Sequence, residues 1–276
     1  SIEEMQVIAK ELRNNNKIKI ALIPTMGSLH EGHISLIQKA YNWCDSIIVS
    51  IFVNPKQFGP SEDFSKYPRN LDRDIEICKE QGVDYIFSPL VEALYPDDFS
   101  TYILEDYYSK NLCGISRPHH FKGVATICMK LFNIIHPHFA FFGQKDAQQS
   151  AVIKKVVYDL NLSVEIVIVD TIRDEDGLAL SSRNLYLSKS QRQEAIAING
   201  ALNHAKRMVE DGINNPDRIT AEITHLLSSK RRIRIIYTNV VDKETMHPVS
   251  TIIRDKHMVC IAVWLDDIRL IDNIVL

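Results

Sequence analysis

The first two-thirds of the chain alternates short, continuous apolar runs with longer segments whose apolar residues recur at helical spacing. The apolar runs lack polar alternation, so they predict strands that are buried on both faces. The predicted strands are residues 18–23, 47–53, 83–87, 139–142 and 164–169. The predicted helices between them are residues 33–43, 71–80, 124–135 and 147–160.

Buried strands that alternate with helices predict an α/β fold with a Rossmann-like, doubly wound parallel sheet. After about Thr171 the pattern changes to two helices followed by three strands, which predicts a second, smaller α+β domain. We therefore expect two domains, residues 1–171 and 172–276. The elements predicted in the second domain are helices 188–211 and 217–227 and strands 233–241, 258–265 and 268–274.

Composition and charge narrow the class of protein. Hydrophobic residues make up 45% of the 276, charged residues 24%, and the formal net charge is -3. This is an ordinary globular composition, and the slight negative charge argues against nucleic-acid binding. No apolar run is long enough to span a membrane. Five cysteines without a C-x-x-C pair do not predict a disulfide framework, so we expect a cytoplasmic protein.

The loop after the first predicted strand holds the most informative motif, His30-Glu31-Gly32-His33. In a parallel sheet, ligands bind beyond the carboxyl ends of the strands, and a helix N-terminus favours phosphate. Two imidazoles at that position can donate hydrogen bonds to a phosphoryl group. The spacing is also compatible with a turn that exposes two histidines. A zinc site fits less well, because H-E-x-x-H spacing and a third ligand are missing, so no protein-held metal is predicted.

The motif carries a specific resemblance. H-x-G-H after a first strand resembles the signature of the nucleotidyltransferase superfamily, and PTMGSLHEGH resembles the pantothenate synthetase family. Further similar strings follow in order: FVNPKQFGPSEDFSKYPR, RPHHFKGVATICMKLFNII, FFGQKDAQQ, DGLALSSRN and RLIDN. The chain departs from the family's usual residues at His119, Gln144, Ile172 and Leu180. We expect His119, His120, His136 and His138 to be surface or loop histidines rather than metal ligands.

The resemblance implies roles for residues in four loops. His33, as proton donor, His30, Lys145 and Arg183 are the implied catalytic residues. Pantoate and β-alanine would be bound by Met26, Asn54, Gln57 and Gln149. The implied ATP-binding residues are Met26, Gly27, Ser28, Leu29, His30, Glu31, Gly32, His33, Gly143, Gln144, Lys145, Asp146, Ile172, Leu180, Ser181, Ser182 and Arg183.

The implied reaction is an ATP-dependent condensation of pantoate with β-alanine through a pantoyl adenylate. Mg²⁺ would enter with ATP rather than in a protein cage, and the family resemblance implies a homodimer. Two alternatives stay open at this point. One is a nucleotidyltransferase that releases a nucleotide-linked product, and the other is a nucleotide-binding regulatory module without turnover.

Overall fold

The structure, a computed structural model, describes residues 1–60 and 62–276. Its strands are β1 (Ile20–Thr25), β2 (Ser46–Ile51), β3 (Tyr85–Phe87), β4 (Phe139–Gly143), β5 (Glu165–Val169), β6 (Ile233–Asp242), β7 (His257–Leu265) and β8 (Ile268–Val275). Its helices are α1 (Ile2–Asn14), α2 (Glu31–Tyr41), α3 (Leu71–Glu80), α4 (Val91–Leu94), α5 (Cys113–Ser116), α6 (His120–Ile135), α7 (Ala147–Asp159), α8 (Lys189–Ala195), α9 (Ala197–Glu210) and α10 (Pro216–Ser228).

The first five strands form one parallel sheet in the order β3-β2-β1-β4-β5. The strand order reverses between β1 and β4, which defines the switch point of a doubly wound sheet. All residues of β2 are buried, and β1 is buried except for Pro24. Helices cover both faces of the sheet, so side chains on either face of a strand are buried. The strands therefore show no alternation of polar and apolar residues. The predicted fold class is confirmed.

The last three strands form a separate antiparallel sheet in the order β6-β7-β8. The amphipathic helices α9 and α10 contribute Leu202, Ala205, Ile219 and Ile223 to its core. The predicted strand positions agree with the structure to within one residue at each end. The domain boundary near Thr171 remains a prediction, consistent with the end of β5 at Val169.

Two predictions about helices were incomplete. Helix α1 was not predicted, although Ser1 and Glu4 form a capping box at its start. Its core-facing stripe is narrow, since only Met5 and Ala9 are fully buried. The single helix predicted over residues 188–211 is divided at Ile196 into α8 and α9. The predicted capping box of Ser188 and Gln191 is present at the start of α8.

Candidate active site

A cavity of about 240 Å³ opens at the switch point of the parallel sheet. The loops that follow β1 and β4 form one side of it, and residues after β5 together with part of β8 form the other. Both sheets therefore contribute to the cavity. It lies where a doubly wound fold places its ligand.

The two histidines of the H-x-G-H motif lie at the start of α2. His30 is the N-cap residue, and its Nδ1 accepts a hydrogen bond from the Gly32 N–H at 3.1 Å. The His33 Nδ1 accepts from the His30 N–H at 3.3 Å. The two ring centroids are 4.1 Å apart. Since each Nδ1 is an acceptor, these bonds assign the proton of each neutral ring to Nε2.

The surroundings keep both imidazoles neutral near pH 7. Burial, followed by the charge of Lys145, lowers the pKa of His30 to about 4. Burial, followed by His30 and then Lys145, lowers the pKa of His33 well below its usual value. Both side chains line the cavity. Each neutral ring therefore offers its Nε2–H to the cavity as a hydrogen-bond donor.

The turn before His30 is held in an unusual backbone conformation by a carboxylate from α3. Gly27 and Ser28 both have positive φ, 78° and 52°. Asp74, which is 2% exposed, accepts from the Ser28 N–H at 2.8 Å and from the Leu29 N–H at 2.7 Å. A Cβ at Gly27 would lie 2.8 Å from Asp74 Oδ2, so the close approach requires glycine here. Sequence reasoning missed Asp74, because nothing near it in the chain marks it as a site residue.

Gly32 leaves room for the His30 ring beside the helix. A Cβ on this residue would lie 2.9 Å from the His30 ring. The small residue thus lets the His30 ring fold back onto the helix N-terminus. A Cβ at Gly143, by contrast, would have no atom within 4 Å, because this residue borders the open cavity.

The turn after β2 presents Gln57 to the cavity through a buried amide network. Asn54 Nδ2 donates to Gln57 Oε1 at 3.0 Å and to the Gly123 carbonyl at 3.1 Å. Asn54 Oδ1 accepts from the Tyr95 hydroxyl at 2.9 Å. Gln57 Nε2 is then directed at Met26 Sδ, 3.0 Å away. Asn54 is thus committed to bonds within the protein, and we expect its effect on substrates to pass through Gln57.

The prediction that His119 and His120 are surface or loop histidines was wrong for His120. His119 is exposed, but His120 lines the cavity, and its Nδ1 lies 3.0 Å from the Gln57 carbonyl oxygen. Arg117 donates to the same carbonyl at 3.2 Å and pairs with Glu62. Burial, followed by the Arg117 charge, lowers the pKa of His120 well below its usual value. One signal in the sequence could have identified Arg117 and His120 as site residues, because both lie in a segment that resembles the family.

The other two histidines considered as possible ligands lie away from the cavity. His136 is exposed and ends α6 in a left-handed conformation. His138 is half-buried, and its Nδ1 accepts from the Ile20 N–H at 2.9 Å. Within residues 1–60 and 62–276, no group of three or more His, Cys, Asp or Glu side chains is arranged to hold a metal ion.

The loop after β4 contributes a cation and an amide. Lys145, Asp146 and Gln149 line the cavity. The Gln144 side chain does not line the cavity, because its Nε2 donates to Asn273 Oδ1 at 3.3 Å. Asn273 Nδ2 in turn donates to the carbonyls of Gln144 and Lys145 at 3.0 and 2.9 Å. The antiparallel sheet therefore fixes the backbone from which Lys145 projects.

A short hairpin after β5 brings together two positions that the resemblance places near ATP. The Leu180 N–H donates to the Ile172 carbonyl at 3.0 Å, and Arg173 bridges to Ala179. The next residues cross the cavity, where Ser182 Oγ donates to the Ser28 carbonyl at 3.2 Å. Arg183 makes a bidentate ion pair with Asp63, with both bonds 2.9 Å long.

Most residues that the resemblance implies converge on this one cavity. It is lined by Met26, His30, Gly32, His33, Asn54, Gln57, Gly143, Lys145, Asp146, Gln149, Ile172, Leu180, Ser181, Ser182 and Arg183. The implied residues outside its lining are Gly27, Ser28, Leu29, Glu31 and Gln144. Of these, Leu29 is buried and Glu31 is exposed. The ligands and roles of all these residues stay predictions.

Comparison with known proteins identifies what this architecture resembles. A family model described as pantoate-beta-alanine ligase matches residues 1–275. The pantothenate synthetase of Pseudothermotoga lettingae is 49% identical, over 100% of this chain and 97% of that protein. The pantothenate synthetase of Thermotoga petrophila is 48% identical, over 100% and 98%.

Solved structures agree with the sequence relatives. The crystal structure of pantothenate synthetase from Thermus thermophilus has a TM-score of 0.91 at 39% identity, with 96% of each chain covered. The pantoate-beta-alanine ligase from Francisella tularensis, solved complexed with beta-gamma ATP and beta-alanine, has a TM-score of 0.81 at 33% identity. That match covers 100% of this chain and 95% of the other. Within the part of the chain that the structure describes, no helix is long and apolar enough to cross a bilayer.

Proposed function

The chain belongs to the pantoate-beta-alanine ligase family, and we propose that it joins pantoate to β-alanine through a pantoyl-adenylate intermediate. The enzyme class itself follows from family membership over the whole chain. The intermediate and the residue roles are our proposal. The observation that carries it is the presence of His30, His33, Lys145 and Arg183 on one cavity at the switch point of the sheet.

A carboxylate does not react with an amine at neutral pH, because its oxygen is a poor leaving group. In the proposed first step, a carboxylate oxygen of pantoate attacks the α-phosphate of ATP and expels pyrophosphate. In the second step, the amine of β-alanine attacks the carbonyl carbon of the mixed anhydride and expels AMP. The protein's contribution is to position the reactants and to stabilise the developing charge.

The site has suitable groups for the first step. The Nε2–H groups of His30 and His33 would donate to the α-phosphate, and Lys145 would place its ammonium on the phosphate oxygens. The anionic triphosphate would raise the pKa of a nearby imidazole, so a larger fraction of His33 would carry the proton that it is proposed to donate. The Arg183 guanidinium has five donors and uses two on Asp63, so Nη1 remains for phosphate.

The groups around Gln57 suit the second substrate, pantoate. Gln57 Nε2 would donate to its carboxylate or hydroxyl groups, with Oε1 fixed by Asn54. Met26 would supply an apolar surface for the two methyl groups. Gln149, one helical turn after Lys145, has its side chain on the same cavity.

Mg²⁺ would enter as part of the substrate, bound to the triphosphate. The chemistry of the loops fits this. Of the three carboxylates that line the cavity, Asp146, Asp170 and Asp272, the last is paired with Arg173, and among the described residues no group of three acidic or other metal-binding side chains is arranged to hold a metal ion. From the family resemblance we further propose a cytoplasmic homodimer. Light scattering of the purified protein tests the oligomeric state.

Exchange of radioactive pyrophosphate into ATP tests the first step by itself. We expect exchange that requires pantoate but not β-alanine, and AMP release that requires both. His30→Ala and His33→Ala should each lower exchange by a factor of about 100 or more. His119→Ala, which removes an exposed imidazole, is the matched control and should leave the rate unchanged. The absence of pantoate-dependent exchange in the unaltered protein would refute the adenylate mechanism.

A further inference from the structure

A small recess of about 40 Å³ continues from the main cavity toward the antiparallel sheet. Arg117, His120, Lys145, Gln149 and Arg269 line both the cavity and the recess. Cys113 and Tyr237 close its far end. The recess therefore lies next to the groups proposed to hold pantoate, on the side away from the H-x-G-H motif.

Arg269 contributes a cation to this recess without a carboxylate partner. Its Nη2 donates to Cys113 Sγ at 3.3 Å, a weak acceptor, and among the residues that the structure describes its buried Nε has no hydrogen-bond partner. Within residues 1–60 and 62–276 it makes no ion pair. Asp272 on the same strand is bound bidentately by Arg173, at 2.6 and 2.9 Å. A guanidinium with this much unused donor capacity matches a carboxylate ligand.

The register of β8 sets the distance between Arg269 and the loop that carries Lys145. Arg269, Ile271 and Asn273 point to one face of the strand, because side chains alternate with period two. Asn273 is bonded to the carbonyls of Gln144 and Lys145. Four residues at ~3.3 Å each put Arg269 about 13 Å from that anchor along the strand.

Arg269 also lies near His120, which contacts the turn that carries Gln57. Its charge is one of the causes that lower the pKa of His120, whose Nδ1 contacts the Gln57 carbonyl. Pantoate held by Gln57 and Gln149 would thus have its activated carbonyl between the loop that carries Lys145 and Arg269. An amine that attacks this carbonyl can carry a carboxylate that reaches into the recess.

We propose that Arg269 binds the carboxylate of β-alanine and so selects an amine substrate by its carboxylate and its length. This rests on the proposed function, because it assigns a subsite of the same active site. The carboxylate would pair with Nε and an Nη of Arg269, with the three-carbon chain spanning to the pantoyl carbonyl. A shorter or longer amino acid would hold its amine out of line with that carbon.

The two half-reactions separate this role from adenylation. In Arg269→Gln, we expect the KM for β-alanine to rise about 10- to 100-fold, because a charge-assisted carboxylate contact is lost. Pantoate-dependent pyrophosphate exchange should stay within about twofold of the unaltered protein, which also demonstrates that the variant folds. Arg234→Gln is the matched control, since Arg234 is an exposed arginine on β6 of the same sheet. It should change neither rate.

A substrate series gives a second test that does not depend on a variant. The unaltered enzyme should use 3-aminopropanamide, which lacks the negative charge, at least about tenfold less efficiently than β-alanine. Arg269→Gln should reduce this preference, and Arg269→Lys should give an intermediate KM for β-alanine. Equal use of the two amines by the unaltered enzyme, or an unchanged KM in Arg269→Gln, would overturn the proposal. So would a parallel loss of exchange and condensation, which would assign Arg269 to adenylation. Absence of exchange in the unaltered protein would instead refute the proposed function.

Discussion

His30 and His33 show how the surroundings of single residues set their protonation and hydrogen bonding. Both rings use Nδ1 to accept a backbone N–H of their own loop, which leaves Nε2–H as the donor. Burial and the Lys145 charge keep the rings neutral. The histidines therefore present directed hydrogen-bond donors to the cavity, and in the proposed reaction a bound anion would favour their protonated forms.

The lowered pKa of His30 predicts a pH dependence of stability. Below its usual pKa of 6.5 the unfolded chain binds a proton that the folded protein, with a pKa of about 4, does not. The free energy of unfolding should therefore fall as the pH drops through this window, by about 2 kcal/mol from His30 between pH 6.5 and 5. Urea unfolding at several pH values measures this dependence.

The matched variants for this measurement are His30→Asn and His119→Gln. Asparagine keeps an N-cap acceptor for the Gly32 N–H, so His30→Asn should fold and show a weaker decline between pH 6.5 and 5. His119→Gln removes an exposed imidazole and should keep the full decline. An identical decline in all three proteins would contradict the assignment to His30.

Asp74 predicts a second residue-level effect. An asparagine at this position has one acceptor, and its NH₂ group would face a backbone donor of the turn. Asp74→Asn should therefore lower the free energy of unfolding by about 1–3 kcal/mol. It should also raise the KM for ATP, because the turn at Gly27 and Ser28 positions the H-x-G-H motif. Denaturant unfolding and exchange kinetics provide the measurements.

Asp72→Asn is the control for Asp74→Asn. Asp72 lies two residues earlier on α3 and is exposed. It should alter neither stability by more than about 0.5 kcal/mol nor the KM for ATP. Equal effects of the two substitutions would rule out a specific role of Asp74 in holding the turn.

At the scale of elements, the site depends on how closely α6 packs on the turn that carries Gln57. A Cβ at Gly123 would lie 2.2 Å from the Lys56 carbonyl oxygen. The Gly123 carbonyl accepts from Asn54, which fixes the Gln57 amide. The helix therefore determines where the proposed pantoate contact lies, although its own residues at this point carry no chemistry.

A pair of glycine substitutions tests this packing. Alanine in a helix interior normally stabilises by up to about 1 kcal/mol relative to glycine. Gly200→Ala in α9, where a Cβ meets no atom within 4 Å, should show that gain. Gly123→Ala should instead destabilise by about 1–3 kcal/mol and raise the KM for pantoate. Thermal unfolding and exchange at varied pantoate measure the two effects, and a stabilised Gly123→Ala would contradict the close contact.

At the scale of the whole molecule, the cavity exists because the two sheets meet across it. Ser182 reaches the Ser28 carbonyl, Arg183 pairs with Asp63, and Asn273 holds the loop that carries Lys145. These residues come from segments after β5, yet each is bonded to the first two-thirds of the chain. A ligand that occupies the cavity would therefore bind both parts at once.

This arrangement predicts that ATP stabilises the whole fold. At a hundredfold excess over its Kd, a ligand adds about 3 kcal/mol to the free energy of unfolding. Arg183→Ala should lose most of this gain, while Arg234→Ala should keep it. Thermal unfolding of each variant with and without ATP measures this gain. The loss of the Arg183–Asp63 ion pair affects both measurements on Arg183→Ala equally, so it does not change the difference between them. A full ATP-dependent gain in Arg183→Ala would contradict a phosphate-binding role for Arg183.

The architecture could be predicted from the amino-acid sequence, because burial on both faces of a sheet leaves a local pattern in each strand. Strands without polar alternation and helices of the right spacing predicted the parallel sheet, and residues 71–80 were predicted to the residue. Helix α1 was missed because its buried stripe is narrow, and the division at Ile196 left no mark in the apolar pattern. The H-x-G-H motif was also visible, since its residues are neighbours in the chain.

The sequence did not reveal which distant residues complete the site, because their contacts form only in the folded chain. Asp74 accepts a hydrogen bond from Ser28, 46 residues earlier in the sequence, and Arg269 donates one to Cys113, 156 residues earlier. His120 contacts Gln57, whereas its neighbour His119 is exposed. No pattern in the sequence Arg-Pro-His-His predicts this difference between the two histidines. The physical reason is that a contact depends on how elements pack. Spacing along the chain records periodicity within an element but not which other element covers it.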